Sequence, residues 1–160
     1  MQFAKLLGAR VVALSGSDTK LQRLNELGAC LAINYKTNPN WEKQVMDFTN
    51  GHGIDHIIEV GGADTLSKSL TVIKYEGTIS IIGHVSGNTV AMNVVDVLRK
   101  GVILQGIYVG SREMFKDMND AIALHKMKPI IDKSFPFEQA KAAMEYLESG
   151  AHFGKVCISM

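Results

Sequence analysis

Short apolar, β-branched runs alternate along the whole chain with stretches whose apolar residues recur at helical spacing. No other feature restricts the fold as much. Arg10 to Leu14, Leu31-Ala32-Ile33, Ile54 to Val60, Thr78 to Gly83 and Val102 to Val109 read as strands. Most are apolar without strict alternation, which suits strands buried on both faces. The helical stretches between them are long enough to carry the chain back to the start of the next strand. Such connections give parallel neighbours joined by right-handed crossovers. The expectation is an α/β fold, a mostly parallel sheet with helices on both faces.

The helix signals have identifiable chemistry. Phe3, Leu6 and Leu7 recur at helical spacing before Gly8. Ser17 can accept free N–H groups at the start of a helix through Leu21, Leu24 and Leu27, and Gly28 suits its left-handed exit. Asn40 opens a helix with Trp41, Val45, Met46 and Phe48 that stops at Asn50-Gly51. Further helices are expected from Asp64 to Lys74, Asn93 to Lys100, Glu113 to Met127 and Phe137 to Ser149. Pro129 and Pro136 bias their predecessors to extended backbone, and Lys155 to Ser159 reads as a last strand. The softest boundary lies near Asp132 to Pro136, which divides the chain into 1–132 and a helix–strand segment, 133–160.

Composition excludes several classes. Seventeen basic and 16 acidic residues give a net charge of +1, so no electrostatic hold on nucleic acid or anionic lipid is expected. No apolar run approaches the roughly 20 residues that span a bilayer, and the N-terminus lacks a signal-peptide layout. The two cysteines, Cys30 and Cys157, sit in apolar runs without C-x-x-C spacing, which reads as reduced, buried thiols and a cytoplasmic setting. The five histidines show no paired spacing with cysteine or acid, so no metal site is expected. His56 reads as a half-buried packing residue and His84 as an exposed loop residue. Met92, Met114, Met118 and Met127 read as core filler.

One motif that such a fold leads to expect is missing. In parallel sheets that bind dinucleotides, the first strand runs into G-x-G-x-x-G, whose glycines let backbone approach a pyrophosphate. This chain has no such run, and Met1-Gln2-Phe3-Ala4 is already helical in pattern.

An ordered series of motifs nevertheless resembles a known family. It comprises Ala4-Lys5-Leu6-Leu7-Gly8-Ala9-Arg10-Val11-Val12, Ser15-Gly16-Ser17-Asp18-Thr19-Lys20, Leu27-Gly28-Ala29, Ile33-Asn34-Tyr35 and Glu59-Val60-Gly61-Gly62. Leu104 to Arg112 and His152-Phe153-Gly154-Lys155-Val156 complete it. Together they resemble the C-terminal, cofactor-binding half of a medium-chain dehydrogenase/reductase, of the zinc-type alcohol dehydrogenase-like and quinone oxidoreductase branch. The resemblance implies a Rossmann-like domain lacking its first strand and glycine-rich loop, and a nicotinamide-dependent oxidoreductase whose catalytic domain is elsewhere. It implies hydride transfer to or from a carbonyl, alcohol or quinone. It carries over no catalytic residue, and the chain is expected to be inactive alone. A non-catalytic domain acting only in association is the alternative.

The candidate cofactor residues cluster where strands end. An NAD-preferring fold usually puts an acid after the second strand for the ribose hydroxyls. Here Ser15, Gly16 and Ser17 follow the strand instead, then Asp18 and Lys20. Hydroxyls, free N–H groups and an ammonium suit a 2′-phosphate, so NADP(H) is favoured and NAD(H) remains open. Asp18 can face the ribose or serve as a first-turn helix acid. Tyr35 is either near the adenosine or a packing residue. Val60, Gly61 and Gly83 end strands, where glycine admits a ribose or serves a tight turn; the ligand reading gains from position, since parallel sheets bind at the carboxyl ends of their strands. By resemblance, Ile107, Tyr108 and Val109 meet the nicotinamide end, Arg112 adds phosphate or ribose contacts, and Gly154 and Lys155 close the site. Lys155 is otherwise an ordinary surface charge.

The expected partners are a nicotinamide dinucleotide and a catalytic domain. The absent strand would lie between the strands at Val11 and Ile57. The gap is expected to close by direct pairing, a swapped segment or dimerisation; strand 102–109 can also pair with a second copy.

Overall fold

The computed structural model describes residues 1–160. Its first unit, Met1–Tyr108, alternates helix and strand throughout. The elements are α1 (Gln2–Leu6), β1 (Val12–Ser15), α2 (Asp18–Glu26), β2 (Leu31–Asn34) and α3 (Trp41–Phe48). They continue with β3 (Ile54–Glu59), α4 (Leu66–Val72), β4 (Ile73–Ile81), α5 (Val94–Lys100) and β5 (Ile103–Gly106). The Ser17 side chain accepts the Lys20 N–H at the start of α2, and Asn93 accepts the Val95 N–H at the start of α5. Gly101 closes α5 in the left-handed region, φ 62°.

Boundaries move where tertiary pairing overrides local pattern. The helix expected through Lys74 closes at Val72, and β4 begins at Ile73 because that residue already pairs with Ile54 of β3. The register then shifts between Ile54 and His56, and Glu76 takes a positive φ of 58° in the interrupted stretch. The strand expected to reach Val109 stops at Gly106, since its partner β4 ends at Ile81, opposite that residue.

Every ladder is parallel. In the first unit, β1 pairs with β2, and β3, β4 and β5 form a separate sheet in that order. The break falls between β1 and β3, the position where a missing strand is expected, and the direct pairing allowed for there does not occur. Side chains bridge the break instead. Ile33, Trp41, Val45 and Val72 form a buried cluster, with Val12 of β1 and Ile54 and Ile57 of β3 packed against it. A second cluster, Leu66, Leu70, Ile73, Ile79 and Val102, joins α4 to the three-stranded sheet, with Val97 of α5 against it.

The second unit, Val109–Met160, contains α6 (Arg112–Leu124), β6 (Ile131–Pro136), α7 (Ala140–Glu148) and β7 (Lys155–Ser159). A 3-10 turn, Phe137–Gln139, precedes α7, and β6 pairs with β7. The boundary expected at Asp132 falls inside β6. Phe135 and Ala143 are the buried apolar residues here, and the Tyr146 hydroxyl donates to Asp132 at 2.7 Å.

Some side chains sit outside where patterning placed them. Cys30 is exposed, because it lies in the bend before β2 rather than within the strand. Met114 and Met118 are exposed on α6, whereas Met92 packs against the core. His56 is exposed as well; its Nε2 lies 2.8 Å from Ser80 Oγ on the neighbouring strand. His84 is exposed in its loop, as its position after a strand suggests.

Candidate functional site

The carboxyl ends of β1 and β2 bring five candidate residues together. Parallel ladders put Ser15 beside Asn34, so the segments leaving both strands emerge side by side. Tyr35 N–H donates to the Ser15 carbonyl at 3.2 Å. A Cβ built on Gly16 would stand 2.7 Å from Cε of Lys36 and 2.9 Å from the Tyr35 hydroxyl. Glycine at position 16 therefore lets the Tyr35 ring and the Lys36 stem lie directly over the turn. Ser15 Oγ accepts the Ser17 N–H, and Ser17 Oγ accepts that of Lys20. Two serine hydroxyls, the Tyr35 ring and the Lys36 stem thus surround one short turn, with Lys20 in the first turn of the helix that follows.

Asn34 organises this corner, and sequence reading missed it. It is buried, and its Nδ2 donates to Asp18 Oδ1 at 2.7 Å while its Oδ1 accepts the Lys36 N–H at 3.0 Å. Its carbonyl accepts the Asn38 N–H and side-chain amide. The signal available in sequence was an asparagine ending a strand, which favours such local turns. Its consequence is chemical: the Asp18 carboxylate has a partner within the protein, and Lys36 is directed toward the Ser15 turn.

A second assembly forms where β3, β4 and β5 end. Glu59, the last residue of β3, is 4% exposed, and its Oε1 accepts Gly61 N–H at 2.8 Å, Gly62 N–H at 3.2 Å and the Thr65 hydroxyl at 2.6 Å. Its Oε2 accepts the Ser69 hydroxyl at 2.5 Å. The turn so fixed is laced to the loop after β4. Val85 and Ser86 donate their N–H groups to the Val60 and Gly61 carbonyls, and Ala63 donates to the Gly87 carbonyl. The glycines serve this closeness: a Cβ on Gly62 would lie 2.5 Å from the Gly87 oxygen, and one on Gly83 2.8 Å from the Val60 oxygen.

The two loops form one platform at the sheet's carboxyl edge. Ile107 extends it, donating its N–H to the Ile81 carbonyl at 3.0 Å. Val60, Ile82, Val85, Ile107 and Tyr108 are all exposed on the segments that leave these strands. Tyr108 is 98% exposed, which no packing role accounts for.

The remaining candidates belong to the second unit. Val109 opens it and is exposed. Arg112 is the first residue of α6, beside Glu113. Gly154 has φ +97° and leaves no room for a Cβ, which would lie 2.5 Å from the Ile130 oxygen. Lys155 N–H donates to that same oxygen at 2.8 Å, so the Gly154-Lys155 backbone starts the β6–β7 ladder. No group of three or more histidine, cysteine, aspartate or glutamate side chains lies close enough together to hold a metal ion.

Comparison with known proteins gives this geometry a family. Residues 1–124 match the zinc-binding dehydrogenase family. A zinc-type alcohol dehydrogenase-like protein of Schizosaccharomyces pombe is 42% identical over 164 aligned residues, covering 100% of this chain and 47% of that protein. The crystal structure of a Sinorhizobium meliloti 1021 protein described as an alcohol dehydrogenase superposes with a TM-score of 0.92 at 37% identity, over 99% of this chain and 46% of the other. An NAD-dependent alcohol dehydrogenase superposes with a TM-score of 0.90 at 32% identity, over the same shares. The chain thus spans about half the length of these relatives. Its series of parallel strand–helix units and its loops at the strand ends are those of a cofactor-binding domain: the chain belongs to the zinc-binding dehydrogenase family, within the medium-chain dehydrogenase/reductases.

Proposed function

We propose that this chain is the cofactor-binding portion of an NADP(H)-dependent oxidoreductase of the alcohol dehydrogenase and quinone reductase type. When bound, the cofactor supplies hydride exchange with a carbonyl, alcohol or quinone substrate. The chain's own residues hold and orient it; proton-transfer and substrate groups belong to a catalytic domain outside these 160 residues. By itself the chain is expected to show no turnover.

The observation that carries the reading is the corner at Ser15 to Ser17. Lys36 lies over Gly16 beside Tyr35, Lys20 stands in the first turn of α2, and Asn34 holds the Asp18 carboxylate. A ribose bearing only hydroxyls needs an acid turned toward it, whereas a 2′-phosphate needs cations and donors; Asp18 is drawn toward Asn34 through Oδ1 while Lys36 lies over the turn. This corner offers the second set. With the 2′-phosphate here, the nicotinamide-bearing half falls to the platform formed by Val60, Gly61, Gly83, Ile107 and Tyr108. Val109, Arg112, Gly154 and Lys155 are proposed as further cofactor contacts from the second unit.

Calorimetric titration with NADPH and NADH tests the reading. A charge-assisted hydrogen bond is worth about 1.5–3 kcal/mol, so NADPH should bind at least about tenfold more tightly, and Lys36→Ala should erase the difference. Equal or tighter binding of NADH overturns the NADP preference, and that outcome would match the NAD-dependent relative. Binding of neither below millimolar overturns the cofactor role and leaves a domain that acts only in association.

Two further parts of the proposal follow from the sheet. β5 has one unpaired edge and an exposed Ile103, so two copies are proposed to pair along the 102–109 run, of which Ile103–Gly106 is strand, or to exchange a segment. Sedimentation of a monomer at all concentrations would exclude this. A cytoplasmic setting accompanies the proposal; no helix is long and apolar enough to cross a membrane.

A further inference from the structure

We infer that Glu59 is a positioning residue for the nicotinamide-bearing half of the dinucleotide: its side chain sets the shape of the platform by acceptor geometry, and its negative charge is not required. The inference rests on the cofactor reading above and deepens it.

Glu59 is buried at the carboxyl end of β3, the edge at which parallel sheets present ligands. It gathers four donors from three stretches of chain: the glycine pair, Thr65 ahead of α4, and Ser69 within α4. Because the Gly61 and Gly62 N–H groups are turned inward to Oε1, they cannot serve a ligand. They fix the turn, and the turn fixes the loop after β4 through the Val60 and Gly61 carbonyls. The exposed groups of both loops are therefore aimed by one buried side chain. Two unsatisfied N–H groups would release the turn, since buried donors without partners reorganise toward water.

The division of labour between the two oxygens makes the charge dispensable. Oε1 takes three donors, while Oε2 takes only the Ser69 hydroxyl. A glutamine can present its carbonyl to the same three donors and donate its amide to Ser69 Oγ, because a hydroxyl accepts as readily as it donates. Alanine keeps neither oxygen. Aspartate, one methylene shorter, cannot keep its hold on both Ser69 and the glycine pair.

The test uses the whole chain, titrated calorimetrically with NADPH and with 2′,5′-ADP, which carries only the adenosine end. Glu59→Ala should weaken NADPH about tenfold or more while 2′,5′-ADP stays within about twofold. Glu59→Gln should leave both ligands within about threefold of the unaltered chain. Unchanged NADPH affinity in Glu59→Ala overturns the inference, as does equal loss of both ligands, which marks general unfolding. A Glu59→Gln defect as large as that of Glu59→Ala overturns the claim that charge is dispensable. If Glu59→Ala does not fold, Thr65→Val removes one donor, and the same selective loss, about threefold, is expected. Equal binding of NADPH by Thr65→Val and the unaltered chain then overturns it. Failure of the unaltered chain to bind either ligand sinks the cofactor reading itself, a result separable from all of these.

Discussion

Asp55 and Lys74 form an ion pair at 2.5 Å on adjacent strands, and the hydrogen bond from Lys74 holds the Asp55 carboxyl below its ordinary value of 3.8. A carboxyl whose native pKa is depressed stabilises the fold above its unfolded pKa and loses that contribution as pH falls through the native one. Asp55→Asn should therefore lower the urea midpoint at neutral pH and have no effect well below pH 3.8, where the two denaturation curves converge. With the carboxylate largely exposed, added salt should shrink the difference. Gly154→Ala combines a φ of +97° with a Cβ 2.5 Å from the Ile130 oxygen, and thermal melting should drop by the equivalent of about 1–3 kcal/mol. Legibility at this scale follows whether a role is local. Ser17 announced its cap because the groups it serves are three residues away. Glu59 announced nothing, since Ser69 reaches it only after the chain has turned back. Asn34 offered only its local turn to Lys36; its bond to Asp18 and the placing of Lys36 over Gly16 were hidden for the same reason.

At the scale of elements, Lys100 ties the end of α5 to the end of α4. Its Nζ donates to the Leu70, Thr71 and Ile73 carbonyls at 2.8, 2.8 and 2.9 Å, three acceptors on the stretch where α4 turns into β4. Lys100→Met keeps the aliphatic stem and removes the donor, so chemical denaturation should show a loss of about 1–3 kcal/mol with an unchanged m-value. Element type was legible almost throughout, because period-3.6 and short apolar runs differ plainly. Ends were less so: helix α4 yields to β4 at Ile73 through pairing with Ile54, a partner far away in sequence. The reach of β5 was likewise set by where β4 ends, which no residue in the Val102 to Val109 run encodes.

For the molecule as a whole, β4 is the one strand paired on both sides, and Ile79 within it is fully buried. Ile79→Ala should cost about 2–5 kcal/mol, and hydrogen exchange should be slowest at β4 and fastest along the outer edges of β2 and β5. The parallel α/β class and the position of the break were legible from strand order and motif series. How the chain spans that break was not, since it depends on which side chains meet across it. They meet around Trp41, the chain's single tryptophan, 5% exposed among Ile33, Val45 and Val72. With no ladder joining the two sheets, their attachment has a built-in optical reporter: indole emission from one known position. If the β1–β2 ribbon peels away before the larger sheet unfolds, that emission will shift to longer wavelength ahead of the loss of helical circular dichroism.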